Sequence, residues 1–269
     1  MKTNDPLWDI IVAEARQASQ EEPVLAEFFR DSILDHPDLE SALGFTLAQL
    51  IASPAMAADR VAEIIAEALG ADSSIGQSMR SDIKASFERD AACDRHLTPI
   101  LYFKGFQAVQ LQRVAHWLWG QERKPLALFL QNQISETFAV DIHPGAQIGS
   151  GIMIDHATGL VIGETAVIGD NVSILHSVTL GGSGSQGGRR HPRVGDGVMM
   201  ISAGAKILGN IEIGEGVKIG AGSLVLETVP AHVTVVGVPA KIVGRPNEES
   251  PALEMDQSLQ VNQFEDHQP

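Results

Sequence analysis

Asp141-Ile-His-Pro-Gly-Ala-Gln-Ile148-Gly-Ser-Gly-Ile-Met-Ile154 is the stretch that decides the fold. Aliphatic side chains recur in it every six residues, at Ile142, Ile148 and Ile154, with small residues between them. The spacing continues through Ile162, Ile168, Ile174 and Leu180, then Val194, Ile201, Ile207, Ile213, Ile219 and Val225. A six-residue period of this kind predicts a parallel β-helix, in which each hexad supplies one short strand and a turn. Three hexads close a triangular coil whose aliphatic residues point inward and stack on the next coil. The thirteen hexads make between four and five coils. Glycine relieves the corners, where left-handed backbone is needed.

Residues before Asp141 read differently. Only five of the 26 glycines precede residue 139, whereas twelve of the thirteen aromatic residues do. A narrow prism has no room for Trp or Phe, so the two parts are expected to be separate domains. Apolar residues at Leu7, Ile10, Ile11 and Ala15 follow helical spacing. Further helices are predicted over 23–35, 39–52, 55–69, 78–90, 99–120 and 124–136, windows rich in good helix formers. Aromatics such as Phe28, Phe29, Tyr102, Phe106 and Trp117 are expected to fill helix crossings. The expected fold is therefore α+β: an all-helical part over 1–138, a left-handed parallel β-helix over 139–246, and an acidic, mobile tail over 247–269.

Composition excludes several classes. With 44% apolar and 20% charged residues the chain is globular, and no apolar run reaches the ~20 residues of a membrane span. The N-terminus lacks the basic-then-apolar layout of a signal peptide, so a cytoplasmic protein without membrane attachment is expected. The single Cys93 can form neither an internal disulfide nor a multi-cysteine zinc site. A net charge of −15 speaks against nucleic acid as a partner, although a few lysines could still hold a small anion.

Function is expected where the repeat breaks. Eight residues separate Ile154 from Ile162, and the insertion carries Asp155-His156-Ala-Thr-Gly159. Fourteen separate Leu180 from Val194, across a Gly-rich stretch ending Arg189-Arg190-His191-Pro192-Arg193. Such excursions add nothing to a solenoid's stability, and loops carry function more often than coils do. Coil counting stacks Ile142 under Ile162 and so brings Asp141 towards the strand that follows His156. A carboxylate orienting a histidine is the minimal general-base dyad, and Asp141–His156 is expected to be one. The two loops leave different corners of the triangle. One chain cannot close both around a single small substrate, so a trimer with sites at its subunit boundaries is expected, His156 of one chain facing His191 of the next.

In these motifs the chain resembles the bacterial serine O-acetyltransferases. The likeness is carried by Asp141-Ile-His-Pro, Asp155-His156-Ala-Thr-Gly159, Gly163-Glu-Thr-Ala-Val, Ser177-Val-Thr-Leu-Gly-Gly182, Arg190-His191-Pro192 and Gly237-Val-Pro-Ala, and by Thr98-Pro-Ile-Leu-Tyr-Phe-Lys-Gly-Phe106 in the helical half. It implies acetyl transfer from acetyl-CoA to the hydroxyl of L-serine in cysteine synthesis, with no permanently bound cofactor and no metal. His156 would be the general base and Asp141 its orienting carboxylate. Asp90 and Asp155 would hold the serine ammonium, and Arg190 and His191 its carboxylate. Gly182, Ala203, Lys218 and Ala221 fall where the family lays CoA, with Lys206, Lys218, Lys241 and Arg245 as candidate cations for its phosphates. L-Cysteine is implied as a feedback inhibitor in the serine site, and two trimers would join through the helical half.

Three departures qualify this. Val194 to Ile201 spans seven residues instead of six, so a bulge is expected near Ala203. His143 and His176 are read as surface groups. Family members that dock cysteine synthase use a C-terminal isoleucine, and Pro269 cannot mimic one, so that complex is expected to be weak or absent. Rival readings are a metal-dependent carbonic anhydrase using His143, His156, His176 and His191, acyl transfer to another acceptor, and a non-enzymatic scaffold.

Overall fold

The computed structural model of the chain describes residues 5–184, 187–198 and 200–245. Among these, eight α-helices come first: α1 (Pro6–Glu21), α2 (Ala26–Phe29), α3 (Leu39–Ile51), α4 (Ala58–Ala71), α5 (Ser73–Arg89), α6 (Leu97–Tyr102), α7 (Lys104–Gly120) and α8 (Lys124–Phe138). Asp5, Asp38 and Asp72 cap α1, α3 and α5 by accepting backbone N–H bonds that the first turn leaves unpaired. The Asp72 cap starts α5 five residues earlier than residue 78, where apolar periodicity begins. The window 99–120 is two helices, broken at Phe103, whose backbone is extended. The break lets α7 begin hard against the β-helix: a Cβ on Gly105 would lie 2.2 Å from the Ile154 carbonyl oxygen.

Ala139, in left-handed conformation, ends α8, and fifteen strands follow among the described residues. The first coil is β1 (Val140–Ile142), β2 (Gln147–Ile148) and β3 (Met153–Ile154); the second is β4 (Leu160–Ile162), β5 (Val167–Ile168) and β6 (Ser173–Ile174). The third is β7 (Thr179–Gly181), β8 (Arg193–Val194) and β9 (Met200–Ile201), and the fourth β10 (Lys206–Leu208), β11 (Glu212–Ile213) and β12 (Lys218–Ile219). Then come β13 (Leu224–Val225), β14 (Thr234–Gly237) and β15 (Ala240–Gly244). The parallel sheets β1-β4-β7-β10-β13 and β2-β5-β8-β11 form two walls, and β3-β6-β9-β12-β14-β15 forms the third. Ile142, Ile162, Leu180, Ile207 and Val225 stack in register through the core, as the hexads require.

Two details differ from the hexad count. A fifth coil is completed by a bridge from Val229 to Ile213 and by β14, and β15 then folds back antiparallel on β14 and ends the stack. The turn at Ala203 carries the ordinary coil-to-coil bonds, with Gly204 N donating to His176 O and Gly222 N to Ala203 O. No bulge forms there. Ile201 is already in register with Ile174 and Ile219, and Met199, within the seven-residue interval before it, lies outside the described residues. The tail 247–269 lies outside them too. No described helix is long and apolar enough to cross a membrane.

The helical half docks on the first coil through buried polar groups. Asp82 on α5 is wholly buried and accepts from Arg113 Nη2 (2.7 Å), Gln110 Nε2 (2.9 Å) and the Ile152 backbone N–H (2.8 Å). Arg113 on α7 also donates to the carbonyls of Ile148 (3.1 Å) and Gly149 (2.7 Å). Burial pushes the Asp82 carboxyl up, while Arg113 and the hydrogen bonds pull it back. Removing one member strands the other charge without water. Asp82→Ala is expected to cost ~3–5 kcal/mol in urea unfolding, against ~1 kcal/mol or less for Glu67→Ala in the exposed pair with Arg123. Equal losses for the two variants would contradict this.

Candidate active site

The turn from β3 to β4 carries Asp155-His156-Ala157-Thr158-Gly159. His156 and Ala157 both adopt φ of +58°, a conformation that L-residues with a Cβ populate only at a cost. Ala157 is buried, which turns the His156 side chain outward, where it is 74% exposed. Lys104, at the start of α7, donates to Thr158 Oγ1 and ties the turn to the helical half.

A cavity of about 400 Å³ opens beside this turn, lined among others by Asp90, Tyr102, Lys104, Gly105, Asp155 and His156. Asp90 caps the C-terminus of α5, with Oδ1 fixed by the Ala92 N–H (2.8 Å). Asp155 follows β3 directly, and its Oδ2 lies 3.6 Å from His156 Nε2. Burial pushes the Asp155 carboxyl up, with His156 opposing the rise and Asp90 adding to it. Two carboxylates and one imidazole thus converge on one hollow, an arrangement suited to a cation beside a group that must lose a proton.

Asp141 stands opposite Val161, the register expected from coil counting. Its carboxylate nevertheless accepts from Gln131 Nε2 of α8 (2.7 Å), and no hydrogen bond joins it to His156. The ring neighbours of His156 are Asp155 and His176, the latter edge-on at 6.0 Å between centroids. His176 is therefore no isolated surface group. β3 pairs with β6 at an offset of twenty residues, Met153 with Ser173, and the same offset takes His156 to His176. That signal was present in the sequence. Ala203 and Ala221 continue the same edge of the prism, through the bonds Gly204 N to His176 O and Gly222 N to Ala203 O.

Arg190 and His191 lie at another corner, after β7. His191 is buried, and its ring passes so close to Gly163 that a Cβ there would lie 2.0 Å from it. Thr165 organises this corner. Its Oγ1 accepts from the backbone N–H groups of Arg190 (3.1 Å) and His191 (3.2 Å), and its own N–H donates to His191 Nδ1 (3.2 Å). Arg190 Nη2 sits 2.7 Å from Glu164 Oε2, and this bond pulls the Glu164 carboxyl down. Gly182 borders His191 and Arg190, away from the Ala203–Ala221 edge. His143 is half-buried near this corner, with Nδ1 accepting from Gly145 N (2.9 Å) and its ring edge-on to Trp119. Nothing in the sequence pattern marks Lys104, Glu164 or Thr165, although each lies in a motif of the family.

Two of the four candidate cations are less free than the sequence suggests, while Lys241 and Arg245 are exposed. Lys218 is buried within β12, and Lys206 Nζ donates to the Ser177 carbonyl. Among the described residues no group of three or more His, Cys, Asp or Glu is placed to hold a metal ion.

A family model described as the N-terminal part of serine acetyltransferase matches residues 7–111. Over 93% of its length the chain is 56% identical to the serine acetyltransferase of Escherichia coli K12, covering 92% of that protein. A serine acetyltransferase solved in complex with cysteine superposes with a TM-score of 0.92 at 52% identity, over 94% of this chain and 98% of that one. The Brucella abortus enzyme in complex with coenzyme A gives 0.88 at 50% identity, over 90% and 96%. The Neisseria gonorrhoeae enzyme in complex with serine gives 0.86 at 53% identity, over 89% and 98%.

His191 Nδ1 meets both the Thr165 N–H (3.2 Å), which can only donate, and Thr165 Oγ1 (2.9 Å), which already accepts from two backbone N–H groups, so Nδ1 is the acceptor and the neutral ring carries its proton on Nε2. Burial, with help from Arg190, pushes His191 below the ordinary histidine range. Nitrogen-resolved NMR is expected to show His191 neutral at pH 7 as the Nε2–H tautomer. A proton on Nδ1 at that pH would contradict the arrangement.

Proposed function

The chain belongs to the serine acetyltransferase family and is an acyltransferase, and on that premise we propose how its residues move an acetyl group from acetyl-CoA to the hydroxyl of L-serine. The convergence of Asp90, Asp155 and His156 on one cavity carries this reading. The ammonium of serine sits between the two carboxylates, which places its hydroxyl at the imidazole. His156 takes the hydroxyl proton as the oxygen attacks the thioester carbonyl. The tetrahedral intermediate collapses with loss of the CoA thiolate, which recovers that proton from the imidazolium. Asp141 is assigned as the orienting carboxylate, which requires it to exchange Gln131 for His156 when the site is filled.

Arg190 and His191 hold the serine carboxylate. A guanidinium and an Nε2–H donor match a carboxylate's two oxygens. Since they lie at a different corner from His156, they come from the neighbouring chain of a homotrimer. The helical half, which contributes Asp90, also joins two trimers. Relatives solved with serine, with cysteine and with coenzyme A support these ligands for this chain. L-Cysteine shares the ammonium and carboxylate of serine and fits the same groups, which supports feedback inhibition. Acetyl-CoA lies along the edge running from His156 past His176 to Ala203 and Ala221, where small side chains let the pantetheine arm approach the backbone. Gly182 of the adjoining chain faces it. Lys218 contributes through its backbone, its side chain being buried.

Loss of a general base lowers rates by ~10²–10⁴-fold. His156→Ala is expected to reduce serine-dependent release of free CoA by that much and to leave the thermal midpoint unchanged, because the side chain lies in a turn and not in the core of the prism. Turnover near the wild-type rate at neutral pH would overturn the assignment.

A further inference from the structure

α5 ends in two charged residues whose side chains part company. Asp90 lines the cavity. Arg89 turns into the β-helix, where it is only 7% exposed. Its Nη1 donates to the Gly151 carbonyl (3.0 Å) and Ser173 Oγ (3.3 Å), and its Nη2 to Asn171 Oδ1 (3.2 Å). These partners belong to two successive coils, Gly151 in the turn before β3, and Asn171 at the corresponding corner and Ser173 at the start of β6 in the coil above. All three acceptors are neutral oxygens, and Nε is buried with no hydrogen-bond partner.

As a source of stability this is a poor arrangement. A cation taken out of water without a carboxylate bonded to it, and with one donor unmet, costs more than a well-packed apolar side chain at the same place. What the arginine supplies is direction. Three hydrogen bonds in a planar fork fix the end of α5 against the strand that leads into Asp155. Both carboxylates of the cavity are tied to the same guanidinium, Asp90 as its neighbour in sequence and Asp155 through the coil it grips.

We propose that Arg89 is a positioning residue that sets Asp90 against Asp155 and so determines how well the site accepts the ammonium group of its amino-acid substrate. This rests on the reading of those two aspartates as ammonium ligands.

The test compares L-serine with 3-hydroxypropanoate, which keeps the hydroxyl and carboxylate but lacks the ammonium. The variants are Arg89→Lys, which keeps the charge and loses the fork, and Asn171→Gly, which removes one acceptor and suits the left-handed φ of +57° at that position. Binding of each ligand and the thermal midpoint are measured in the full-length protein. Weakening of a charge-assisted contact should reduce serine affinity roughly tenfold in Arg89→Lys, and less in Asn171→Gly, with 3-hydroxypropanoate affinity changed by under about twofold. Equal weakening of both ligands, or a lowered midpoint alone, would make Arg89 merely structural and overturn the proposal. If Arg89→Lys does not fold, Asn171→Gly decides. Asp90→Asn separates the two readings. If it shifts the serine preference and the Arg89 and Asn171 variants do not, only the positioning role falls; if it shifts nothing, the ammonium assignment is wrong.

Discussion

The contact between Asp82 and Arg113 is the constraint on which the rest of the structure depends. A helical bundle pressed on a prism by apolar contacts alone could settle in several registers. The wholly buried carboxylate removes that freedom, because it must meet Arg113, Gln110 and the Ile152 N–H together, while Arg113 reaches two carbonyls of the same coil. Buried ion pairs add little net stability, and here the return is a single docking geometry. That geometry delivers Asp90, at the end of the same helix, to the edge of the prism where Asp155 and His156 emerge.

The β-helix supplies the other constraint. Residues one coil apart share an edge, so side chains distant in sequence line up without any loop having to bring them together. His156, His176, Ala203 and Ala221 form such an edge, while Arg190 and His191 occupy a different corner under the control of Glu164 and Thr165. The strained turn at His156 fits this division, since it projects the imidazole away from its own prism. On the function proposed above, each chain carries two incomplete half-sites, and catalysis is coupled to assembly.

The prism was legible in the sequence from Ile142 to Val225 because one inward aliphatic residue per hexad is a strict packing rule. Its fifth coil was not, because only four residues separate Val225 from Val229, which breaks the six-residue spacing that Val229 to Val235 then resumes. The start of α5 was missed because Ser73 and Ser74 lack apolar periodicity and only the Asp72 cap marks it. The break at Phe103 was hidden because its cause, the approach of Gly105 to Ile154, is a contact between distant segments. The turn bearing Asp155 and His156 and the loop bearing Arg190 and His191 were readable as breaks in a period. The partner of Asp141 was not, since Gln131 arrives from a helix whose packing no local pattern reveals. Burial of Lys218 was likewise invisible, because a strand lysine reads as solvated until its neighbours are known.

The claim that the two half-sites meet only between chains is tested most directly by mixing two inactive proteins. His156→Ala and Arg190→Ala chains are unfolded together, reassembled and assayed for serine-dependent CoA release. With random mixing in a ring, about a quarter of the boundaries pair an intact His156 with an intact Arg190, so activity should return to roughly that fraction of wild type. Mixed oligomers that form and remain inactive would place the whole site within one chain and contradict the account.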